Sequence, residues 1–318
     1  MKLIITIDTE EDNWADYSPT GYTLENIQRI PVLQELFDEF RVKPTYLITY
    51  PAAVDEKAIR ILKGIVKRGQ CEIGTHCHPW NTPPFEEKTS SKNSMLCNLP
   101  VDLQYKKIRH LHHTILKNYD IEPVSFRNGR WSYNKDIAEN LYKLGYKVDT
   151  SILPYTDWRN YHGTDFSNIS PHPFKFSMDD IFRESSNGDM AEIPATVGFL
   201  QQNFILSNSI WKMLNKKPFK RVKLVGLFSR LNLLNKVWLS PELSDGKTMI
   251  KLAQSMERNN YTIINMFFHS SSLKAGLTPY IKTKDDERKF LQTIREFLTF
   301  ARDNGIDSIK LRDSPGLL

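Results

Sequence analysis

The chain has 318 residues, 40% hydrophobic and 25% charged, the proportions of an ordinary soluble globular protein. No run approaches the ~18 apolar residues that a membrane-spanning helix requires. The formal net charge of +6 comes with no helix-turn-helix, zinc-finger or RNA-binding motif, so nucleic acid is not the expected partner. The charge suits a polyanion such as an acidic glycan, a lipid-linked phosphate or a membrane surface, and equally a basic protein with no such partner. Residues Met1–Asp8 are too short and too soon acidic for a signal peptide, so a cytoplasmic location is expected, with peripheral contact at the inner membrane left open. Cys71, Cys77 and Cys97 lack metal-site spacing and argue against a disulfide framework.

Lys2–Ile7 reads as a buried strand ending at Asp8, and Thr9–Tyr22 as a polar, aromatic loop. Leu24–Phe40 carries Ile27, Ile30, Leu33, Leu36 and Phe37 at helical spacing. Pro44–Ile48 reads as a strand and Glu56–Arg68 as a helix stopped by Gly69. Glu72–Thr75 is a third strand, with His76 and His78 where it ends. The Pro-, Ser- and Asn-rich residues Pro79–Pro100 predict a loop over a site. Val101–Tyr119 is helical. Its His110, His112 and His113 read as a solvated or groove-lining face, because no carboxylate accompanies them at ligand spacing. Val124–Arg127, Tyr146–Asp149 and Ala191–Pro194 are strands and Asp136–Leu144 a helix, with irregular chain over Ser151–Asp189. The stretch Trp211–Trp238 is basic and apolar (Lys212, Lys216, Lys217, Lys220, Arg221, Lys223, Arg230, Lys236). It predicts a helical insertion around 205–240, either a cap on the fold or a contact for a membrane face or lipid-linked phosphate. Thr248–Arg258 and Asp285–Asn304 are helices, Thr262–Phe268 a strand ending at His269, and Ser308–Leu311 a last strand. This alternation predicts a parallel α/β fold, and without repeats or linkers it predicts one domain over 1–318.

The chemically useful side chains gather just past the ends of predicted strands: Asp8 and Glu10, His76 and His78, Arg127, Asp149 and His269. Sites in parallel α/β folds form at that edge. Residues i and i+2 of an extended segment face the same side. His76 and His78 therefore converge, with Cys77 pointing the other way. Asp8 and Glu10 converge likewise, with Glu11 facing away. Two imidazoles and one carboxylate make a three-ligand catalytic metal site, and a second carboxylate is left as general base.

This order of motifs resembles the polysaccharide deacetylase family with NodB homology, the carbohydrate esterase group, over most of the chain. The resemblance implies a distorted (β/α) barrel of the glycoside hydrolase–deacetylase type. Asp8 matches the family's catalytic base and Glu10 its acidic metal ligand, with Glu11 and Asp12 as alternatives. The family usually spaces its metal histidines His-x-x-x-His. Here His76-Cys77-His78 is followed by Trp80 at the usual second position. Arg127 in Phe126-Arg127-Asn128-Gly129-Arg130-Trp131 fits the arginine that pairs with the base, and Arg130 reads as an ordinary surface residue. Trp80, Trp131, Asp149 and Trp158 are expected to line the substrate groove. His269 in Phe268-His269-Ser270 fits the histidine that protonates the leaving amine.

The resemblance implies a metal-dependent hydrolase, with Zn²⁺ the expected metal and Co, Ni or Fe as alternatives. It would remove an N-acetyl group from an amino sugar or glycan precursor, a lipid-linked one included. Two rivals stand beside it: hydrolysis of another C–N bond on the same fold, such as a cyclic ureide or imide, and a catalytically silent carbohydrate-binding protein.

Overall fold

The computed structural model describes residues 1–14, 16–216, 226, 228, 230, 231 and 233–318. Eleven strands are present among them. They are β1 (Lys2–Thr9), β2 (Thr45–Ile48), β3 (Glu72–Cys77), β4 (Ser125–Asn128), β5 (Val148–Asp149), β6 (Phe174–Phe176), β7 (Met190–Glu192), β8 (Val197–Phe199), β9 (Lys236–Trp238), β10 (Ile263–His269) and β11 (Asp307–Ser308). The main sheet runs β10-β1-β2-β3-β4-β5-β7-β6, with β11 also on β1, while β8 and β9 pair separately. Every pairing is parallel except β6 with β7 and β8 with β9.

The sheet curls until β7 and β10 nearly meet. A few bonds at Thr196 close the gap instead of a ladder. The Thr196 amide donates to the Asn265 carbonyl at 3.0 Å, and the Asn265 amide donates to Thr196 Oγ1 at 2.8 Å. The architecture is a distorted (β/α) barrel, as the motif resemblance implies. Helices cover its outside. Several of them start at side-chain caps; Asp55 accepts from the Ala58 amide and Asn134 from the Ile137 amide.

Strand alternation stacks the interior in layers. Ile4, Leu47, Val148, Ile193 and Ile263 form an apolar floor. One step up, Thr6, Arg127, Thr150 and Asn265 form a polar layer. Arg127 donates to Thr6 Oγ1 at 2.7 Å, Thr6 to Asn265 Oδ1 at 2.9 Å, and Asn265 to Thr150 Oγ1 at 3.0 Å. At the carboxyl edge stand Asp8, which is in register with His269, and His76, which is in register with Arg127. The same period of two sends Ile73 and Cys77 outward into the main core.

The predicted elements recur with shifted ends. Helix Val101–Tyr119 has the expected bounds, β1 runs on to Thr9, and β3 runs on to Cys77. Within the basic stretch, the helix Phe204–Leu214 and β9 are described, whereas Lys217, Lys220, Arg221 and Lys223 lie outside the described residues.

The loop after β3 is tied down by Lys107, whose side chain is fully buried. Its ammonium donates to the carbonyls of Pro79, Thr82 and Pro84 at 2.9, 2.7 and 2.8 Å and pairs with Glu87 at 2.8 Å. Breaking a buried pair of this kind strands its partners. Lys107→Met is therefore expected to destabilise the protein by about 3 kcal/mol, read as a lower midpoint of denaturant unfolding with secondary structure retained.

Candidate active site

At the carboxyl edge lies a cavity of about 190 Å³. Asp8, Glu10, His76, His78, His269, Trp80 and Trp131 line it, together with Trp14, Tyr17 and Arg130. The backbone at His78 is still extended (φ −103°, ψ 119°), so the alternation that turns His76 inward also turns His78 inward. Both rings reach the same point, and their Nε2 atoms lie 3.0 Å apart. Glu10 Oε2 is 3.7 Å from His76 Nε2 and 3.4 Å from His78 Nε2. Among the described residues these three form a buried group able to hold a metal ion, their ligand atoms all within 4.8 Å of one another.

The outer ring nitrogens fix the tautomers. His76 Nδ1 lies 3.0 Å from the Arg127 carbonyl, which can only accept, so Nδ1 carries the hydrogen. His78 Nδ1 lies 3.0 Å from the Glu11 carboxylate, with the same consequence. In the neutral rings both Nε2 lone pairs then face each other and a carboxylate. A divalent cation between them would balance that donor set, and two imidazoles plus a carboxylate suit a divalent transition metal. Burial, only partly countered by Asp8, pushes His76 down to about 3, so this ring is neutral. Burial also lifts Glu10 to about 7, against the attraction of His269 and His78.

Glu11 does not face away from the site. Strand β1 ends at Thr9, the alternation ends with it, and the Glu11 side chain swings behind His78. Thr49 Oγ1 and Asn81 Nδ2 donate to its two oxygens at 3.0 and 2.6 Å. Burial raises its pKa, but the His78 ring outweighs that and holds the carboxyl below its usual range. Asp12 is occupied elsewhere, accepting from Thr23 Oγ1 at 2.7 Å and the Glu25 amide at 2.6 Å. Of the three acidic residues after Asp8, only Glu10 presents a carboxylate to both Nε2 atoms. Gly129 gives His78 its room, since a Cβ there would strike the His78 ring and sit 2.8 Å from the Cys77 carbonyl.

Asp8 divides its two oxygens. Oδ1 accepts from Arg127 Nη1 at 2.8 Å. Oδ2 faces the cavity, 4.0 Å from His76 Nε2 and 3.8 Å from His269 Nε2. Burial favours the neutral acid, but the Arg127 guanidinium, with His76 and His269, outweighs it and holds Asp8 at about 2. Arg127 itself lies below the cavity. His269 has the opposite environment from His76. Its Nδ1 lies 3.0 Å from Glu242 Oε2, and its backbone amide donates to Glu242 Oε1 at 3.0 Å. Burial disfavours the imidazolium, but Glu242 and then Glu10 overcome it and push His269 up to about 10.

Two expected groove residues are not at this cavity. Val148 on β5 and Thr150 just past it point into the barrel, so Asp149 points out, where it accepts from the Ser151 amide and hydroxyl at 2.9 and 2.7 Å. Trp158 packs with Trp131 and Trp238 against Leu153, Ala195, Val197 and Phe267 without reaching the cavity. Arg130, expected at the surface, lines the cavity and lies 4.8 Å over the Tyr17 ring. Arg130 and Trp131 both adopt φ 57°, and this left-handed turn carries the two side chains to the rim. Trp80, at the family's usual second histidine position, stacks on His78 with ring centroids 4.1 Å apart. Glu242, Trp14 and Tyr17 escaped the motif reading. An acidic residue just after the apolar run Val237–Leu239 was the one local sign of Glu242. The histidines of Val101–Tyr119 form no part of the site; His112 pairs with Glu122 at 3.0 Å.

No family model matches the sequence, and no curated protein matches it. Solved structures do. A protein from Mycobacterium smegmatis provisionally described as a polysaccharide deacetylase aligns with a TM-score of 0.55 at 14% identity, over 99% of this chain and 89% of its own. The fold is the polysaccharide-deacetylase fold. A Parabacteroides distasonis protein provisionally described as a glycoside hydrolase/deacetylase aligns with a TM-score of 0.60 at 11% identity, over 99% of this chain and 70% of its own. A 4-alpha-glucanotransferase from Thermococcus litoralis also aligns, with a TM-score of 0.55 at 12% identity, over 100% of this chain and 40% of its own. The likeness thus defines the architecture, and the reaction has to be argued from the site.

A carboxylate that orients a metal-binding imidazole contributes to affinity without touching the metal. Glu11→Ala is expected to weaken Zn²⁺ binding by about 10- to 100-fold in a chelator-competition titration, with the far-UV circular dichroism unchanged. Unaltered affinity would show that His78 needs no support from Glu11.

Proposed function

We propose that this protein is a metal-dependent hydrolase that removes the N-acetyl group of an amino sugar or glycan precursor. The observation that carries the reading is the division of Asp8, one oxygen bound by Arg127 and the other left facing the Glu10–His76–His78 group and His269. Glu10, His76 and His78 would hold a divalent metal, Zn²⁺ by the chemistry of the donors, and that ion would supply Lewis acidity toward the acetyl carbonyl and water. Asp8, ionised at neutral pH, takes the proton of the attacking water through its free oxygen. Arg127 keeps that carboxylate charged and aimed. As the C–N bond breaks, His269 gives its Nε2 proton to the departing nitrogen, and acetate and a free amine leave. The faces of Trp14, Tyr17, Trp80 and Trp131 suit a sugar ring, which presents apolar C–H patches to aromatic planes.

The test is Asp8→Asn with an N-acetylated chito-oligosaccharide as substrate. Acetate release is expected to fall at least about 10²-fold, while metal content measured by elemental analysis stays the same. Undiminished acetate release would remove Asp8 from the role of base. Metal-free wild-type protein that still binds the oligosaccharide would favour a silent binding protein. A second variant probes the acid. Glu242 stabilises the charged form of His269, so Glu242→Gln should lower the His269 pKa. The alkaline limb of the pH–kcat profile then moves to lower pH, whereas an unmoved limb would mean that His269 is not the titrating acid.

A further inference from the structure

Strands β8 and β9 bound an excursion whose charge is unlike the rest of the chain. From Ile193 to Pro241 there is no Asp or Glu, against eight Lys and Arg. The remainder of the chain carries slightly more acid than base, so this one stretch accounts for the whole positive balance. The described part also exposes apolar side chains. The helix Phe204–Leu214 buries Phe204, Ser207, Asn208 and Leu214. Its other side shows Ile205, Leu206 and Met213 to solvent at 80%, 56% and 49% exposure. Leu231 and Leu233 are 59% and 57% exposed, and with Ile205 they are the most exposed large apolar residues among those described. Lys216 and Arg230 are exposed as well. Lys236 is not part of this surface, since its ammonium is turned inward onto the Tyr155 carbonyl at 2.6 Å.

We propose that this excursion is a docking element for an anionic lipid surface. Ile205, Leu206, Met213, Leu231 and Leu233 enter the headgroup–acyl boundary, and Lys216 and Arg230 meet lipid phosphates. Two physical contrasts select this occupant. Protein–protein contact surfaces are depleted in Lys, whereas elements that lie in a membrane interface combine Lys and Arg with Leu, Phe and Trp. A nucleic-acid surface would use the cations but has no use for exposed aliphatic side chains, because its phosphates are contacted by charged and polar groups. The element is rooted beside the cavity: β9 carries Trp238, which packs in the same cluster as Trp131, and the chain leaving it reaches Glu242 behind His269. The inference concerns location and does not depend on the deacetylase reading.

The test is co-sedimentation of the full chain with vesicles of phosphatidylcholine alone or mixed with phosphatidylglycerol. Binding is expected to the mixed vesicles only and to weaken at high salt. Ile205→Ser with Leu206→Ser, and separately Lys216→Glu with Arg230→Glu, should each lower the bound fraction about tenfold. All four positions are exposed, and an unchanged melting temperature verifies the fold. Failure to bind mixed vesicles, or binding that neither pair of substitutions reduces, overturns the proposal. So does a concentration-dependent dimer, seen by light scattering and lost in Ile205→Ser with Leu206→Ser, that appears without vesicle binding; the face would then be a contact between two copies.

Discussion

The arrangement of this protein depends on one buried ion pair. Arg127 is fully buried in the barrel, where an unpaired charge would be prohibitive. It is tolerated because its donors are engaged: Nη1 by Asp8, Nη2 by Thr6 and Thr150, and Nε by the Thr150 carbonyl. Those partners come from β1 and the end of β5, so Arg127 on β4 joins three strands across the barrel. Its carbonyl holds His76 as well. One residue therefore sets the charge of Asp8 through its side chain and the tautomer of His76 through its backbone.

The three histidines of the site share a side-chain type and differ in what stands behind them. A backbone carbonyl behind His76 orients the ring without adding charge, and burial then keeps it neutral. Carboxylates stand behind His78 and His269, Glu11 and Glu242 respectively. Glu242 keeps His269 protonated through neutral pH. At His78 the carboxylate fixes the ring so that Nε2 turns toward Glu10. The acceptor at the outer nitrogen thus orients each ring, and its charge decides whether burial goes largely unopposed, as at His76, or is overcome, as at His269, a distinction invisible in the spacing of the histidines themselves.

Much of the site was legible because strand geometry is local. Asp8, His76, His78 and His269 all lie on or just past strands whose apolar runs announce them, and a period of two carries each to the same face. The rule failed in two informative places. Glu11 lies two residues past the end of β1, where the chain no longer alternates, so its path was set by Thr49, Asn81 and His78. Asp149 sits on a strand of only two residues, and its neighbours Val148 and Thr150 took the inward positions.

The sequence by itself determined the alternating α/β order and the main ligating and acid–base candidates, because local periodicity and side-chain chemistry carry that information along the chain, while the barrel class came from the resemblance in motif order. Tertiary structure alone decided which of Glu10, Glu11 and Asp12 faces the Nε2 atoms of both His76 and His78. It alone brought Glu242 behind His269, 27 positions apart in the sequence, and turned Arg130 to the rim. Each of these rests on contacts between segments remote in the sequence, and such contacts leave no mark on the local pattern of either segment.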